Sequence, residues 1–193
     1  MAKKQVAKVV VKKKRWVPVI APKLFNEKQI GEMHVEEPKN AVGRKLSVSM
    51  TTITGEPQKQ NIMAKFLITS FAGEKLNTDM IGYRLNNAAT KRLMRRNRSK
   101  IDDSIVFKTA DDKKIRIKPL VVTRGRAQGG TKAALRKLMK DYLAKTIAKA
   151  SFENLLREII NKKFQRALSD ALRKIYPIAG SEIRNIELII PKK

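Results

Sequence analysis

The chain has 193 residues, of which 44 are Lys or Arg and 17 are Asp or Glu, giving a formal net charge of +27. A compact monomer with this charge repels itself, so the composition indicates a polyanionic partner. Cysteine is absent, which excludes disulfides and thiolate chemistry, and one histidine (His34) with scattered carboxylates leads us to expect no metal or other cofactor.

The first elements of the chain are an extension and a short strand. Residues 1–15 are rich in Lys and Val without a usable helical or strand period, and we interpret them as a basic extension that orders on its partner. The stretch 16–20 predicts a strand that Pro18 and Pro22 confine to an edge or a loop. Trp16 is interpreted either as an anchor for the extension or as a platform for a nucleobase.

The middle of the chain predicts an antiparallel sheet that curls into a barrel. Apolar and polar residues alternate over 43–53, which is typical of a half-buried strand. A second strand over 62–71 turns at 72–75 into the next strand. Segments 104–108 and 115–122 predict another antiparallel pair.

A basic helix is predicted between these strand pairs, with Asn86 or Asn87 as its N-cap. At 100° per residue, its cationic side chains cover an arc of about 160°. The opposite side holds Thr90, Leu93, Met94 and Asn97, so one face would dock on the sheet while the other meets a polyanion. The cations of this helix are Lys91, Arg92, Arg95, Arg96 and Arg98.

The last part of the chain predicts a loop, helices and a final strand. TRGRAQGGTK (123–132) is a flexible basic loop without the glycine order of a nucleotide-binding loop. Thr131 would cap a helix that extends to about Ala150. A second helical run spans 152–172, and alternation over 183–190 predicts a strand. The fold class is therefore α+β, with a basic extension over 1–15 and one domain over 16–193.

The positive charge is concentrated in three segments that contain no acid. Residues 1–26, 80–101 and 113–140 hold 8, 7 and 10 basic residues, whereas the other 117 residues carry 19 basic and 17 acidic ones. Solvated surface charge would pair Lys with Glu, so this distribution favours segments that face phosphate. No apolar run approaches the roughly 20 residues that span a bilayer, and we expect a cytoplasmic protein.

Several segments resemble a known family, the archaeal and eukaryotic small-subunit ribosomal protein eS-one, also called S-three-a. The most distinctive are A-P-x-x-F-N at 21–26 and I-Y-P-I at 175–178. Their order and spacing along nearly the whole chain carry the resemblance. The matching segments are RWVPVIAPKLFNEKQIGE (15–32), VGRKLSVSM (42–50), KFLITSFAGEKLNTDMIGYRL (65–85), FKTADDKKIRIKPLVVTR (107–124) and KIYPIAGSEIRNIELI (174–189).

The resemblance implies a non-enzymatic constituent of the small subunit, placed on its platform near the messenger exit. It implies ribosomal RNA and neighbouring platform proteins as partners, makes messenger RNA near the exit a further candidate, and implies no membrane. The chain ends soon after Ile190, so we expect an archaeal source. The resemblance places RNA binding on Lys12, Lys13, Lys14, Arg15, Lys91, Arg92, Arg95, Arg96, Arg98, Lys100, Arg124, Arg126 and Lys132.

Three other functions are compatible with the charge alone. The first alternative is a free-standing RNA chaperone or non-ribosomal RNA-binding protein. An RNA-modifying enzyme would need a cofactor loop or a convergent acid, base or nucleophile, and the sequence shows neither. A DNA-architectural protein would carry the same charge, because 2′-hydroxyl contacts leave no mark in a sequence. We interpret the acids at 102, 103, 111 and 112 as turn and cap residues.

Overall fold

The computed structural model describes residues 13–190. Within them are nine β-strands and five α-helices, so the predicted α+β class is confirmed. The sheet is mixed and not antiparallel throughout, because β1 (Arg15–Ile20) runs parallel to β5 (Lys75–Leu85). Across the described residues the sheet does not close, so the prediction of a barrel is wrong.

The described chain forms two compact units. The first contains residues 13–46 and 67–79, and the second contains residues 47–66 and 80–190. Strand β4 (Ile62–Ala72) and strand β5 contribute to both units, and their hairpin turns where it was predicted, at Gly73 with φ 59°. The single domain expected over 16–193 stays a prediction.

The first unit is built around β1 and β2 (Gln29–Val35), which pair antiparallel. Strand β1 also pairs with β5, at Val19↔Leu76 and Ile20↔Asn77, so the predicted edge position of β1 is wrong. The parallel pairing begins only after Pro18, and the missing N–H of this proline therefore removes no bond to β5. Strand β2, which we did not predict, occupies the edge instead and carries the exposed His34.

The second unit has β9 (Ile178–Leu188) between β5 and β8 (Lys114–Thr123). Both neighbours pair antiparallel with β9. In one row across these strands, Tyr83, Ile186 and Ile117 lie opposite one another and are fully buried. Because successive side chains of a strand alternate between faces, the next row points the other way. The remaining strands of this sheet region are β3 (Lys45–Ser49), β6 (Lys100–Asp102) and β7 (Ile105–Lys108).

Helices cover the apolar side of the second unit. The longest one buries Leu135, Met139, Leu143 and Ile147, which recur at every fourth position. The last helix packs against β9 and so helps to bury the apolar face of the sheet, which a closed barrel would have buried inside itself. The helices are α1 (Met50–Thr54), α2 (Asn87–Leu93), α3 (Gly129–Ile147), α4 (Phe152–Ile160) and α5 (Lys163–Arg173).

The basic helix is shorter than predicted. Its N-cap is Asn86, whose side-chain oxygen accepts a hydrogen bond from the Ala88 N–H at 3.2 Å. The helix ends at Leu93, and Met94, which we expected to dock, is exposed. Continuing it would place Lys91 next to Arg95 and Arg92 next to Arg96, and such like-charge i,i+4 pairs destabilise a helix. Asn97 has φ 60°, so the chain has left the helix by this point.

Three other helix boundaries differ from the predictions. The strand expected to continue to residue 53 ends at Ser49, because Gly55 at φ 75° caps the short helix α1. Helix α3 begins two residues before Thr131, so Thr131 is not its cap. The single run over 152–172 is two helices, divided at Lys162 with φ 58°. An apolar period of 3.6 residues is the same on both sides of such a break and does not reveal it.

We expect Gly82→Ala to distort the β5–β9 pairing. A Cβ atom at this position would lie 2.5 Å from the Ile186 carbonyl oxygen and 3.4 Å from the Glu187 Cα, so backbone must shift. We expect a loss of about 1–3 kcal/mol in the free energy of unfolding, measured by chemical denaturation. Gly31→Ala is the control, since a Cβ there meets nothing within 4 Å. Equal stability of the two variants would contradict this account.

Candidate nucleic-acid interface

Hydrogen bonds around Ser99 join two of the acid-free segments. Strand β6 pairs with β8 at Lys100↔Val122, which places the loop after α2 beside the loop after β8. The Ser99 N–H donates to the Thr123 Oγ1 at 2.9 Å, and the Thr123 N–H donates to the Ser99 carbonyl at 3.0 Å. The Ser99 Oγ accepts from the Ala127 N–H at 3.0 Å. We call residues 94–99 with 124–128 the Ser99 junction.

The cations of the first loop are largely exposed. Lys91 and Arg92 lie in the last turn of α2, and Arg92 donates to the Asn61 Oδ1 at 2.9 Å. Arg95 and Arg96 are exposed, whereas Arg98 is half-buried. Within the described residues, neither Arg95 nor Arg96 has an acidic partner. The cations that we predicted on one helical face therefore lie in two places. Lys91 and Arg92 are on α2, and the others are in the loop that follows it.

The second loop is held at several points, although we predicted a flexible one. The Arg124 N–H donates to the Pro177 carbonyl at 2.9 Å, and the Thr123 hydroxyl donates to the Gly125 carbonyl at 2.6 Å. Arg124 and Arg126 both expose their side chains. Lys132 is half-buried in the first turn of α3. Fixed backbone with exposed arginines suits contact with phosphate, because little further ordering is needed.

The predicted N-terminal site residues belong to the first unit or lie outside the described residues. Lys12 and most of the proposed extension lie outside them. Lys13 and Lys14 are exposed, and Arg15 begins β1 with its Nη1 3.2 Å from the Glu74 Oε1. Trp16 is 66 % exposed and stacks on His34 at a centroid distance of 4.8 Å. Its stacking on a nucleobase stays a prediction.

Acids that the sequence places outside the basic segments neutralise part of the charge. The Asp102 Oδ2 lies 2.6 Å from the Lys100 Nζ, and the Asp103 Oδ1 lies 3.2 Å from the Arg136 Nε. Asp102 is the last residue of β6 and Asp103 lies in the two-residue link to β7, and the ion pairs of both acids were not predicted. The interpretation as turn or cap residues holds for Asp111, whose Oδ2 accepts from the Phe152 N–H at 2.9 Å at the start of α4, and for Asp112 in a turn with φ 54°.

A second basic site, which we did not predict, lies on the sheet of the second unit. A pocket of about 380 Å³ is lined mainly by cations from four strands. In its central row Asn185 of β9 lies between Arg84 of β5 and Lys118 of β8. We call it the sheet pocket. Its lining residues are Lys65, Arg84, Asn87, Lys118, Arg184, Asn185 and Glu187.

Two of the four pocket cations have acidic partners. Lys65 donates to Glu187, and this hydrogen bond, more than any other contact, lowers the pKa of the Glu187 carboxyl. The Arg184 Nη1 lies 3.6 Å from the Asp102 Oδ2. Neither Arg84 nor Lys118 has a carboxylate within 4 Å among residues 13–190, although the charge of Lys118 also contributes to lowering the pKa of the Glu187 carboxyl. The signal in the sequence is the alternation KIRIK at 114–118, where every second residue is basic. Charge counted by segment does not reveal it, because such a count ignores which face of a strand each residue occupies.

We expect Glu182 to make the stability of the fold fall as pH rises. Burial raises the pKa of this carboxyl, against the opposing effect of Lys162, whose Nζ lies 3.5 Å from the Glu182 Oε1. A raised pKa means that the folded chain binds the proton more tightly than the unfolded chain. Stability from this group is therefore complete below the ordinary Glu pKa and is lost as pH rises through the raised value.

Glu182→Gln should remove this contribution. Relative to the wild type, the Gln variant should gain free energy of unfolding as pH rises above the ordinary Glu pKa of about 4, measured by denaturant titration at each pH. Glu153→Gln, at an exposed position of α4, is the matched control. A variant curve that stays parallel to that of the wild type would show that Glu182 titrates as an ordinary carboxyl.

Among residues 13–190, no group of three or more His, Asp or Glu side chains is placed to hold a metal ion. No helix in that part of the chain has the length and apolarity needed to cross a membrane. The fold and the charge thus define a strongly basic α+β protein with two cationic surfaces in its second unit.

Comparison with known proteins identifies the family. The model of the Ribosomal S3Ae family matches residues 2–191. Small ribosomal subunit protein eS1 of Methanobrevibacter smithii is 34 % identical over 172 residues, 89 % of each chain. The protein of the same name from Nanoarchaeum equitans is 31 % identical over 92 % of this chain and 89 % of its own.

The likeness extends to a third archaeal relative. Small ribosomal subunit protein eS1 of Halorubrum lacusprofundi is 31 % identical over 91 % of this chain and 81 % of its own. The chain therefore belongs to the Ribosomal S3Ae family. This is a family of structural, non-enzymatic proteins, and the resemblance noted in the sequence is confirmed.

Proposed function

We propose that this chain is a structural constituent of the small ribosomal subunit and binds ribosomal RNA on the platform near the messenger exit. The family match over residues 2–191 is the observation that carries the proposal. Relatives at about 30 % identity bear the name of a small-subunit ribosomal protein. The proposed location is the cytoplasm, on the ribosome, and the proposed partners are ribosomal RNA, neighbouring platform proteins and messenger RNA near the exit.

The Ser99 junction supports RNA as the partner. Exposed arginines from two segments far apart in sequence lie on loops that the Ser99 and Thr123 hydrogen bonds hold together. Phosphate contacts from Lys and Arg supply most of the affinity of such interfaces. The thirteen residues named from the family resemblance are proposed RNA contacts, and those at 91–100 and 124–132 lie in the two segments that this junction joins.

Co-sedimentation tests the ribosomal role. We expect the native protein to sediment with small subunits at one copy per particle after a high-salt wash, because contacts buried in an assembled particle are screened less than exposed ones. Loose and variable attachment would instead favour a free-standing RNA chaperone. Chemical probing of the small-subunit RNA with and without the protein then tests the platform. Protection of the RNA that forms the platform near the messenger exit supports that position, and protection confined to other regions contradicts it.

A further inference from the structure

The sheet pocket combines excess positive charge with a polar atom that has no hydrogen-bond partner among the described residues. Four cationic side chains and one carboxylate line it. Asn185 is 8 % exposed, and its Oδ1 accepts no hydrogen bond from the described residues. A buried acceptor without a donor destabilises the folded chain. The Asn185 Oδ1 is thus an unsatisfied acceptor beside cations that attract an anion.

The strand register fixes the arrangement of these groups. Arg84 and Lys118 lie directly opposite Asn185 on its two sides, so all three side chains point to the same face of the sheet. Adjacent strands are about 4.8 Å apart, which puts the two cationic strands about 10 Å from each other. That spacing admits a phosphate between an arginine and a lysine, whose long side chains can both turn toward it.

The orientation of Asn185 determines what kind of group its oxygen would meet. Its amide group acts as a hydrogen-bond donor toward Glu187, which leaves Oδ1 as the atom that needs a donor. A phosphate offers only acceptors. A hydroxyl next to a phosphate offers the required donor, and in nucleic acids the ribose 2′-hydroxyl fills this role.

We propose that the sheet pocket binds one ribonucleotide unit of an RNA chain, with its phosphate between Arg84 and Lys118 and its 2′-hydroxyl donating to the Asn185 Oδ1. This inference rests on the proposed RNA-binding function. It assigns to the second unit an RNA site on a rigid sheet, separate from the loops of the Ser99 junction. It also gives the protein a way to distinguish RNA from DNA at one position.

Adenosine 3′-monophosphate, whose phosphate is next to the 2′-hydroxyl, and its 2′-deoxy counterpart are the probes (AMP and dAMP). We expect AMP to shift the backbone amide NMR signals of residues 84, 118 and 185 and the side-chain amide signal of Asn185 in ¹⁵N-labelled full-length protein. The dAMP affinity should be about fivefold to tenfold lower, as expected for the loss of one hydrogen bond. Inorganic phosphate should bind no more tightly than dAMP. Equal affinities for AMP and dAMP, or shifts that avoid this pocket, would overturn the proposal.

Variants separate ligand recognition from folding. Asn185→Ala should bring the AMP-to-dAMP affinity ratio close to one, whereas a merely structural change would weaken both ligands equally and refute the role of the oxygen. Arg84→Ala with Lys118→Ala should abolish the shifts at the remaining pocket signals. Arg157→Ala with Arg166→Ala is the matched control, because it removes the same charge from exposed helix positions and should leave the shifts unchanged.

The outcome is independent of the ribosomal assignment. Mononucleotide binding needs no ribosome, so a wild-type protein that fails to co-sediment with small subunits contradicts the proposed function without affecting the NMR result. A protein that co-sediments but shows no AMP shifts in the pocket retains its proposed function and loses this inference.

Discussion

Replacing Arg95, Arg96 and Arg124 together with Ala should flatten the slope of log affinity for small-subunit RNA against log salt by roughly 2 to 3 units. Each phosphate neutralised by a cation releases counterions, and these three exposed side chains have no acidic partner within the described residues. Arg92 is left intact because its guanidinium is bonded to the Asn61 side chain, and its loss would mix a structural effect with an electrostatic one.

The matched control removes three positive charges elsewhere in the same unit. Arg157, Lys163 and Arg166 are exposed on α4 and α5 and lie outside the acid-free segments. Their triple Ala variant should keep the wild-type slope, apart from a small decrease due to net charge. Filter binding over a salt series measures both variants, and thermal melting verifies that both fold. Identical slopes for the two triple variants would show that the Ser99 junction faces solvent or protein.

Phe164→Ala should destabilise the protein by about 3–5 kcal/mol. The Phe164 side chain is 2 % exposed in α5, and its ring meets the Tyr142 ring of α3 edge-on at a centroid distance of 6.3 Å. Truncation loses the buried area, leaves a cavity between two helices and removes the ring pair. This loss is a large fraction of the 5–15 kcal/mol that stabilises a typical domain.

An exposed apolar residue of the same unit provides the comparison. Ile175 is 41 % exposed, and its replacement with Ala should change the free energy of unfolding by no more than about 0.5 kcal/mol. Urea titrations of the two variants, monitored by far-UV circular dichroism, give both values. If the two losses were similar, Phe164 would not lie in a packed core, and the docking of α3 on α5 would be wrong.

Local sequence patterns predicted the elements that depend on neighbours in the chain. The β4–β5 hairpin, the β7–β8 pair and the Asn86 cap occur where the sequence placed them. Alternation, turn residues and capping are interactions over a few residues, so a single sequence carries them. Boundaries failed where two local signals competed, as at Met50, which continues an alternating pattern and also begins the short helix capped by Gly55.

The acid-free segments, the family resemblance and the α+β class were determined by the sequence alone, since each depends only on which residues occur and in what order. The tertiary structure decided the rest. The Ser99 junction joins Ser99 to Thr123 and Ala127, which are 24 and 28 positions away. The cations of the sheet pocket come from four strands, from Lys65 to Arg184. Which side chains meet across strands depends on register and strand order, and these follow from burial of the whole core, which no local window of the sequence contains.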